Sequence, residues 1–218
     1  MAEPARKITR SAVKNIVRFP PIKANNGEEI LLESIQEAKY CLLLEFDPNV
    51  VKYLPHPQTF DISGGTEKSS SGAAYKAYTP DFLVVYLDAP KCYIEVKPRK
   101  YADHPDYRER FRRFEEKHLD LRHEFLVVDE VEIYSQPRLA NMEFLYRYRK
   151  NPDLDMRNLY KCAGATPGVH TLKQLLGKLS DTASLHEIYT WIAFGYLRFN
   201  LSEYKLNYKT ELEFHVEI

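Results

Sequence analysis

Cysteine is scarce in this sequence, and its three copies lie far apart. Cys41, Cys92 and Cys162 show neither C-x-x-C spacing nor a cysteine-histidine spacing typical of zinc sites. This argues against a zinc knuckle and against a disulfide framework. The composition therefore favours a reducing, cytosolic setting.

Long apolar runs are also missing. The longest, such as "CLLL" and "FLVV", are far shorter than the roughly 20 residues that a membrane-spanning helix needs. The charged N-terminal segment lacks the apolar stretch of a secretion signal. The sequence therefore predicts a soluble, intracellular protein with no membrane partner.

The sequence has no excess of charge of either sign, because 31 basic residues balance 31 acidic ones. Overall charge therefore does not indicate a nucleic-acid partner. The exception is a predicted arm, residues 1–24, in which Glu3 is the one acid. Its basic residues are Arg6, Lys7, Arg10, Lys14, Arg18 and Lys23. A solvated tail and a segment attracted to a polyanion are both consistent with this arm.

Hydrophobic periodicity predicts an α/β core over residues 25–136. Residues 28–47 form a predicted helix whose apolar stripe comprises Leu31, Ile35, Ala38 and Leu42. The later predicted elements are strands at 75–88 and 91–98, a helix at 104–121 and a strand at 123–130. The segments "FLVVYL" and "YIEV" in the first two of these strands are typical of central positions in a sheet.

A second unit follows a connecting helical segment, residues 137–164. Residues 171–179 and 184–195 are predicted as short helices, with a stop at Gly195. An alternating hairpin through Leu197, Phe199 and Leu201 comes next. This order is that of a winged helix, so residues 165–218 are predicted as a small winged-helix-like domain. The second helix has little lysine or arginine, which favours contact with protein over reading of a duplex.

Two stretches carry the chemistry, "YTPDF" at 78–82 and "CYIEVKPRK" at 92–100. Glu95 and Lys97 face the same side of a strand because side chains alternate. Asp81 begins the preceding strand, where pairing could bring it beside Glu95. Converging carboxylates are hard ligands suited to Mg²⁺ or Mn²⁺, and a neighbouring lysine can orient or deprotonate a water that attacks phosphorus.

A plainer interpretation of the Glu95 and Lys97 pair is an ion pair on a solvent-facing strand, which is common. The apolar flanks argue against it, because a charged pair in a central strand needs partners or a cleft. The preceding helix should supply a further carboxylate. Its acids are Glu28, Glu29, Glu33, Glu37 and Glu45. Helical geometry puts Glu33 opposite the apolar stripe and Glu37 near its border, which favours Glu37.

These residues resemble the PD-(D/E)xK nuclease superfamily and, within it, the TnsA family, the endonuclease subunit of two-part cut-and-paste transposases. The similar segments are "FPPIK", "ESIQEAKYCLLLEFDPNV", "YTPDFLV" and "YIEVKP", in the family's order over residues 19–135. The resemblance implies a restriction-endonuclease-like core over 25–136 with a winged-helix-like C-terminal domain. The sequence departs from the family at Pro57 and Gln58, which reverse a common Gln-Pro, so Gln58 is assigned no role.

The resemblance implies that Glu37, Asp81, Glu95 and the backbone carbonyl of Val96 hold one or two Mg²⁺ ions, for which Mn²⁺ can substitute. Lys97 would serve the attacking water. The implied reaction is cleavage at the 5′ ends of a transposon, while a DDE-type TnsB transposase cuts and joins the 3′ ends. A TnsC-type AAA+ ATPase would be a second partner. The implied location is the bacterial cytoplasm, in association with the nucleoid when the complex is assembled.

Basic residues near these motifs are candidate DNA contacts. Lys23, Arg99 and Lys100 are predicted to bind DNA, with Lys100 preferred. The following helix carries Arg108, Arg110, Arg112 and Arg113, which form either a phosphate-binding face or a solvated one. The seven histidines are dispersed and are assigned no metal-binding role.

Three other functions stay open on the sequence. A DNA-bound adaptor could keep the nuclease fold and bridge the transposase to its ATPase. A regulator could bind an operator through its winged helix. A restriction or repair nuclease could share the superfamily.

Overall fold

A computed structural model describes residues 16–66 and 68–216 of the chain. Most of the predicted basic arm, including Arg6, Lys7, Arg10 and Lys14, lies outside the described residues. The chain divides into two compact units between Tyr134 and Ser135. No helix among the described residues has the length and apolar character needed to cross a bilayer.

The first unit contains eight described strands and four α-helices. The strands are β1 (Val17–Phe19), β2 (Ile30–Leu32), β3 (Val50–Pro55), β4 (Phe60–Asp61), β5 (Ala77–Tyr78), β6 (Phe82–Tyr86), β7 (Lys91–Val96) and β8 (His123–Val128). The helices are α1 (Ile35–Phe46), α2 (Arg99–Ala102), α3 (Pro105–His118) and α4 (Glu130–Ile133).

A mixed four-stranded sheet with the order β3-β6-β7-β8 forms the centre of this unit. β3, β6 and β7 are antiparallel, and β8 runs parallel to β7. The chain between β7 and β8 includes α3, since parallel neighbours need a crossover connection. The predicted α/β class is confirmed. The predicted strand 75–88 is wrong as one element, because β5 pairs with β4 and β6 starts only after Pro80, which cannot donate to a sheet ladder.

The start of α1 differs from the prediction. The helix begins at Ile35, and the N-cap Ser34 accepts a hydrogen bond from the backbone N–H of Glu37. The residues before Ser34 pair as β2 with β1 instead. The predicted apolar stripe is therefore wrong, since Leu31 and Ile35 are exposed. The buried face of α1 includes Glu37, Tyr40, Cys41 and Leu44.

Aromatic side chains pack α3 onto the rest of the first unit. Phe114 is fully buried, and its ring meets those of Phe60, Tyr78 and Tyr93 at centroid distances of 4.9, 5.1 and 5.4 Å. These edge-on contacts favour one orientation of α3 against β7. The rigid contact matters for the site because α3 and β7 both contribute residues to it.

The second unit is described by itself. Its elements are α5 (Arg138–Lys150), α6 (Met156–Ala165), β9 (His170–Thr171), α7 (Leu172–Lys178), α8 (Leu185–Phe194), β10 (Leu197–Arg198) and β11 (Glu211–Phe214). The strands form an antiparallel sheet with the order β10-β11-β9.

The two predicted helices of the second unit, 171–179 and 184–195, correspond to α7 and α8. Gly195 ends α8 in the left-handed region at φ 77°, as its position in the sequence predicts. The predicted alternation through Phe199 and Leu201 is wrong, because β10 ends at Arg198 and pairs with β11 across a longer connection. Within that connection, the side chain of Asn200 accepts a hydrogen bond from the backbone N–H of Ser202, which turns the chain.

Candidate active site

The register of the central sheet brings three polar residues into one row. Pro55 pairs with Phe82, and Phe82 pairs with Ile94. Continuing both registers by one residue places His56 opposite Asp81, and Asp81 opposite Glu95. The backbone N–H of His56 donates to the carbonyl of Asp81 at 2.7 Å. Three chain segments distant in sequence thus meet at one edge of the sheet.

Glu37 joins this row from the first turn of α1. Its Oε1 accepts a hydrogen bond from Ser34 Oγ at 2.8 Å, and its Oε2 accepts one from the backbone N–H of Glu33 at 3.0 Å. The residue is 4% exposed. The capping residue that starts the helix therefore also fixes the orientation of the buried carboxylate.

Asp81 and Glu95 are held by different partners. Asp81 Oδ2 accepts a hydrogen bond from the backbone N–H of Val96 at 2.8 Å. Tyr78 donates its hydroxyl to Glu95 Oε2 at 2.8 Å, and Lys97 Nζ lies 3.1 Å from Glu95 Oε1. Lys97 also lies over the Tyr107 ring, 4.7 Å from its centroid. The predicted Glu95 and Lys97 pair is thus an ion pair at the base of a cleft and does not face open solvent.

The crowding of acids changes their protonation equilibria. Burial, with smaller contributions from the charges of Glu33 and Glu95, raises the pKa of Glu37 to about 7. Burial and the charges of Glu95 and Glu37 raise the pKa of Asp81 well above its usual value. Burial disfavours the ammonium of Lys97, but the carboxylates of Glu95 and Asp81 outweigh it and raise the lysine pKa.

Burial and neighbouring negative charge thus both disfavour the ionised forms of Glu37 and Asp81. A bound cation would favour their ionised forms. One ligand atom each from Glu37, His56 and Asp81 lie within 4.8 Å of one another. Oxygen and imidazole donors at such spacing fit a divalent cation. Glu95 is not among these three, and its two oxygens contact Tyr78 and Lys97. The carbonyl of Val96 as a ligand stays a prediction.

His56 occupies an uncommon backbone conformation. Its φ is 45°, in the left-handed region, and it stands between Pro55 and Pro57. A side-chain-bearing residue held there costs on the order of 1 kcal/mol or more. The imidazole is 2% exposed, and its Nε2 lies 3.9 Å from Glu37 Oε2.

A cleft of about 780 Å³ lies at the site. Its lining includes three acids, Glu37, Asp81 and Glu95, together with Lys97, Arg110, Tyr101 and Tyr107. Carboxylates that share a cleft with basic and aromatic side chains can hold a cation and, next to it, a phosphate.

The other acids predicted as alternatives to Glu37 have different positions. Glu45 is fully buried, and its Oε1 accepts hydrogen bonds from Tyr53 Oη and from the backbone N–H groups of Ile22 and Lys23. It therefore holds residues 22–23 against α1. Glu29 forms an exposed ion pair with Arg18.

The predicted DNA contacts fall into two groups. Lys23 Nζ donates to the carbonyls of Leu44 and Asp47 at the end of α1, so its position is that of a helix cap. Arg99 is exposed and pairs with Asp129 at 2.8 Å. Lys100 is exposed and lies over the ring of Tyr101, 4.6 Å from its centroid.

The four arginines of α3 also fall into two groups, according to whether an acid pairs with them. Arg108 pairs with Asp103, while Arg112 and Arg113 both pair with Glu109. Arg110 differs, because it lines the cleft and lies over Tyr107 at 5.4 Å from the ring centroid. Among the described residues, no acid lies within ion-pair distance of Arg110, and its Nε has no hydrogen-bond partner.

Three site residues escaped the sequence analysis, namely His56, Tyr78 and Tyr107. Tyr78 was within reach, since it begins the quoted motif "YTPDF" and precedes Asp81 by three residues. His56 carried one signal in the sequence, its place between Pro55 and Pro57. The contact of Tyr107 with Lys97 depends on the packing of α3.

Comparison with known proteins supports the assignment of the first unit. A family model described as the TnsA-like endonuclease N-terminal domain matches residues 47–130. A comparison with curated proteins gives no match. The matched segment includes Asp81, Glu95 and Lys97, whereas Glu37 precedes it. Residues 47–130 are therefore similar to the N-terminal domain of TnsA-like endonucleases.

Proposed function

We propose that this protein is a divalent-metal-dependent DNA endonuclease subunit of a transposase. It hydrolyses phosphodiester bonds at the 5′ ends of a transposon, while a DDE-type TnsB partner cuts and joins the 3′ ends and a TnsC-type AAA+ ATPase regulates the complex. The observation that carries the proposal is the meeting of Glu37, Asp81, Glu95 and Lys97 in one cleft of a TnsA-like endonuclease domain.

Glu37 and Asp81 would hold the metal, with Glu95 close by. Mg²⁺, or Mn²⁺ in its place, would supply positive charge that offsets the charge developing on the scissile phosphate. Lys97 donates hydrogen bonds from its ammonium and so orients the attacking water or a phosphate oxygen. Glu95 and Tyr107 fix the ammonium from two sides, which reduces the reorganisation needed during the reaction.

The adaptor alternative has less support. Glu37 and Glu95 are buried and Asp81 is half-buried beside them, and placing three carboxylates together in this way costs stability that a purely bridging role would not require. Likewise, an operator-binding regulator would not need the cleft. A restriction or repair nuclease would use the same site, so the DNA substrate distinguishes that alternative from a transposase subunit.

We further propose that the second unit is a winged-helix-like domain used for contact with protein partners. The order α6, β9, α7, α8, β10, β11, with β11 between the other two strands, supports this. α8 carries no lysine or arginine, and Trp191 is fully buried within it. A helix of this composition is a poor reader of base edges.

The experiment that tests the function is a strand-nicking assay on transposon-end DNA with the TnsB-type partner present. The Lys97→Ala variant should lose 5′-strand cleavage by about 10²-fold or more, because one preorganised donor to the reacting phosphate is removed. Complex assembly should be unchanged.

Lys91→Ala is the matched control for this assay, because Lys91 is an exposed lysine at the other end of β7. It should cleave at the wild-type rate. Unchanged 5′ cleavage in Lys97→Ala would contradict the enzymatic proposal. Equal cleavage of DNA with and without transposon ends would instead favour a restriction or repair nuclease.

Arg110 should contribute to DNA binding through a phosphate. The Arg110→Ala variant is expected to bind duplex DNA about tenfold more weakly. The slope of its log affinity against log salt concentration should be smaller by about one, as expected for the loss of one phosphate contact. Fluorescence anisotropy at several salt concentrations measures both quantities.

Arg112→Ala is the control for this measurement, since Arg112 lies on the same helix but is paired with Glu109 and Glu116. It should bind DNA almost as the wild type does. Equal losses in both variants would mean that α3 contributes only a diffuse positive charge and that Arg110 has no particular contact.

A further inference from the structure

We propose that His56 is a direct nitrogen ligand of the metal, so that Glu37, His56 and Asp81 form the ligand set while Glu95 positions Lys97. The inference deepens the proposed function and depends on its metal site. It changes the predicted all-oxygen set into a mixed set of oxygen and nitrogen, which alters the choice between metals.

The first argument is distance. His56 Nε2 lies 3.9 Å from Glu37 Oε2, which is too long for a hydrogen bond. Two ligands each about 2.1 Å from one cation lie about 3 Å apart at a right angle and about 4.2 Å apart on opposite sides. The observed distance of 3.9 Å falls between these values. One ligand atom each of Glu37, His56 and Asp81 lie within 4.8 Å of one another, so small shifts of these side chains would let all three bind one ion.

The second argument is the backbone conformation of His56. His56 keeps a left-handed φ of 45° between two prolines, and its N–H is bonded to the carbonyl of Asp81. Strained residues of this kind concentrate at functional sites, where the surrounding structure holds them. The conformation directs a buried imidazole towards Glu37, on the adjacent helix.

The third argument concerns Glu95. Its Oε2 accepts the hydroxyl of Tyr78, and its Oε1 pairs with Lys97. Metal ligation by Glu95 would compete with both contacts. Ligation by His56 leaves the contacts of Glu95 with Tyr78 and Lys97 in place. Glu95 then holds Lys97, while Glu37, Asp81 and the His56 imidazole hold the ion.

A mixed ligand set affects metal preference. Mg²⁺ takes oxygen ligands, whereas transition ions such as Mn²⁺ also accept imidazole nitrogen. The wild-type protein should therefore prefer Mn²⁺ over Mg²⁺ more strongly than a variant in which residue 56 offers an amide oxygen. His56→Gln supplies that variant.

The test is pulsed electron paramagnetic resonance of Mn²⁺ bound to the full-length protein. We expect modulation from a directly bound imidazole nitrogen in the wild type and its loss in His56→Gln, together with about a tenfold weaker Mn²⁺ affinity. Mg²⁺ affinity, measured by competition with Mn²⁺, should change by less than about threefold, because Mg²⁺ favours oxygen ligands. His215→Gln replaces an exposed histidine of the second unit and should retain the modulation.

The wild type also provides a measurement that needs no substitution. Labelling histidine with the heavier nitrogen isotope should change the modulation pattern if a histidine is bound. Mn²⁺ binding without nitrogen modulation, or modulation that persists in His56→Gln, would overturn the role of His56 and leave the carboxylate site intact. A wild-type protein that binds no divalent ion would overturn this inference and the metal dependence of the proposed function together.

Discussion

Replacing Asp81 with asparagine should reduce 5′-strand cleavage by about 10³-fold, or roughly 4 kcal/mol of transition-state stabilisation. The carboxylate is central in the site, opposite both His56 and Glu95 in the sheet register. Asparagine keeps an oxygen that can accept the Val96 N–H but removes the negative charge that a cation requires. Single-turnover nicking with the TnsB-type partner measures the effect.

The Asp81 prediction needs a control for folding and for simple loss of charge. Asp88→Asn removes an exposed carboxylate that follows the same strand and should leave cleavage unchanged. In the absence of metal, the unfolding temperature of Asp81→Asn should equal or exceed that of the wild type. The substitution removes the repulsion between the Asp81 carboxylate and those of Glu95 and Glu37. Near-normal cleavage by Asp81→Asn would eliminate the site as the catalytic centre.

The second large effect concerns the two acids at the start of α1. Glu37→Gln should reduce cleavage by about 10²-fold or more, because Glu37 supplies a buried carboxylate to the proposed metal site. Glu33→Gln should change cleavage by less than about threefold, because Glu33 contacts Glu37 through its backbone N–H, which the substitution keeps.

Comparison of Glu37→Gln with Glu33→Gln shows which of the two acids serves the proposed site. Both substitutions remove one negative charge within four residues of each other, and both replace an acid with its amide. Mn²⁺ affinity should fall in Glu37→Gln and stay near the wild-type value in Glu33→Gln. Equal tolerance of both substitutions would refute Glu37 as the helical acid.

Glu37 as the helical acid stays a prediction, and the helix from which it was derived is wrong. The predicted stripe through Leu31 and Ile35 places Glu37 at its border, but both of these apolar residues are exposed. In the structure Glu37 lies on the buried face itself, because Ser34 starts the helix and β2 takes the residues before it. A local serine cap and a strand pairing outweighed the apparent helical period.

The DNA-binding predictions show a similar limit. Lys23, Arg99 and Lys100 are predicted as DNA contacts from their charge and their closeness to the motifs, yet Lys23 caps α1 and Arg99 pairs with Asp129. Arg110 was one of four equivalent arginines in the sequence. The positions of Asp103, Glu109 and Glu116 decide which of the four stays unpaired, and those positions follow from helix geometry and packing.

The sequence by itself determined the two strands beside which Asp81 and Lys97 lie and within which Glu95 lies, because alternation along a strand is a local property. Motif order likewise indicated the resemblance to the TnsA family, and the family-model match over residues 47–130 supports it. Tertiary structure alone decided that His56 lies beside Glu37, that Tyr78 holds Glu95 and that Arg110 faces the cleft. His56 and Glu37 are 19 positions apart in the sequence, and Tyr78 and Glu95 are 17 positions apart. Contacts over such separations depend on sheet register and helix packing, which no local pattern encodes.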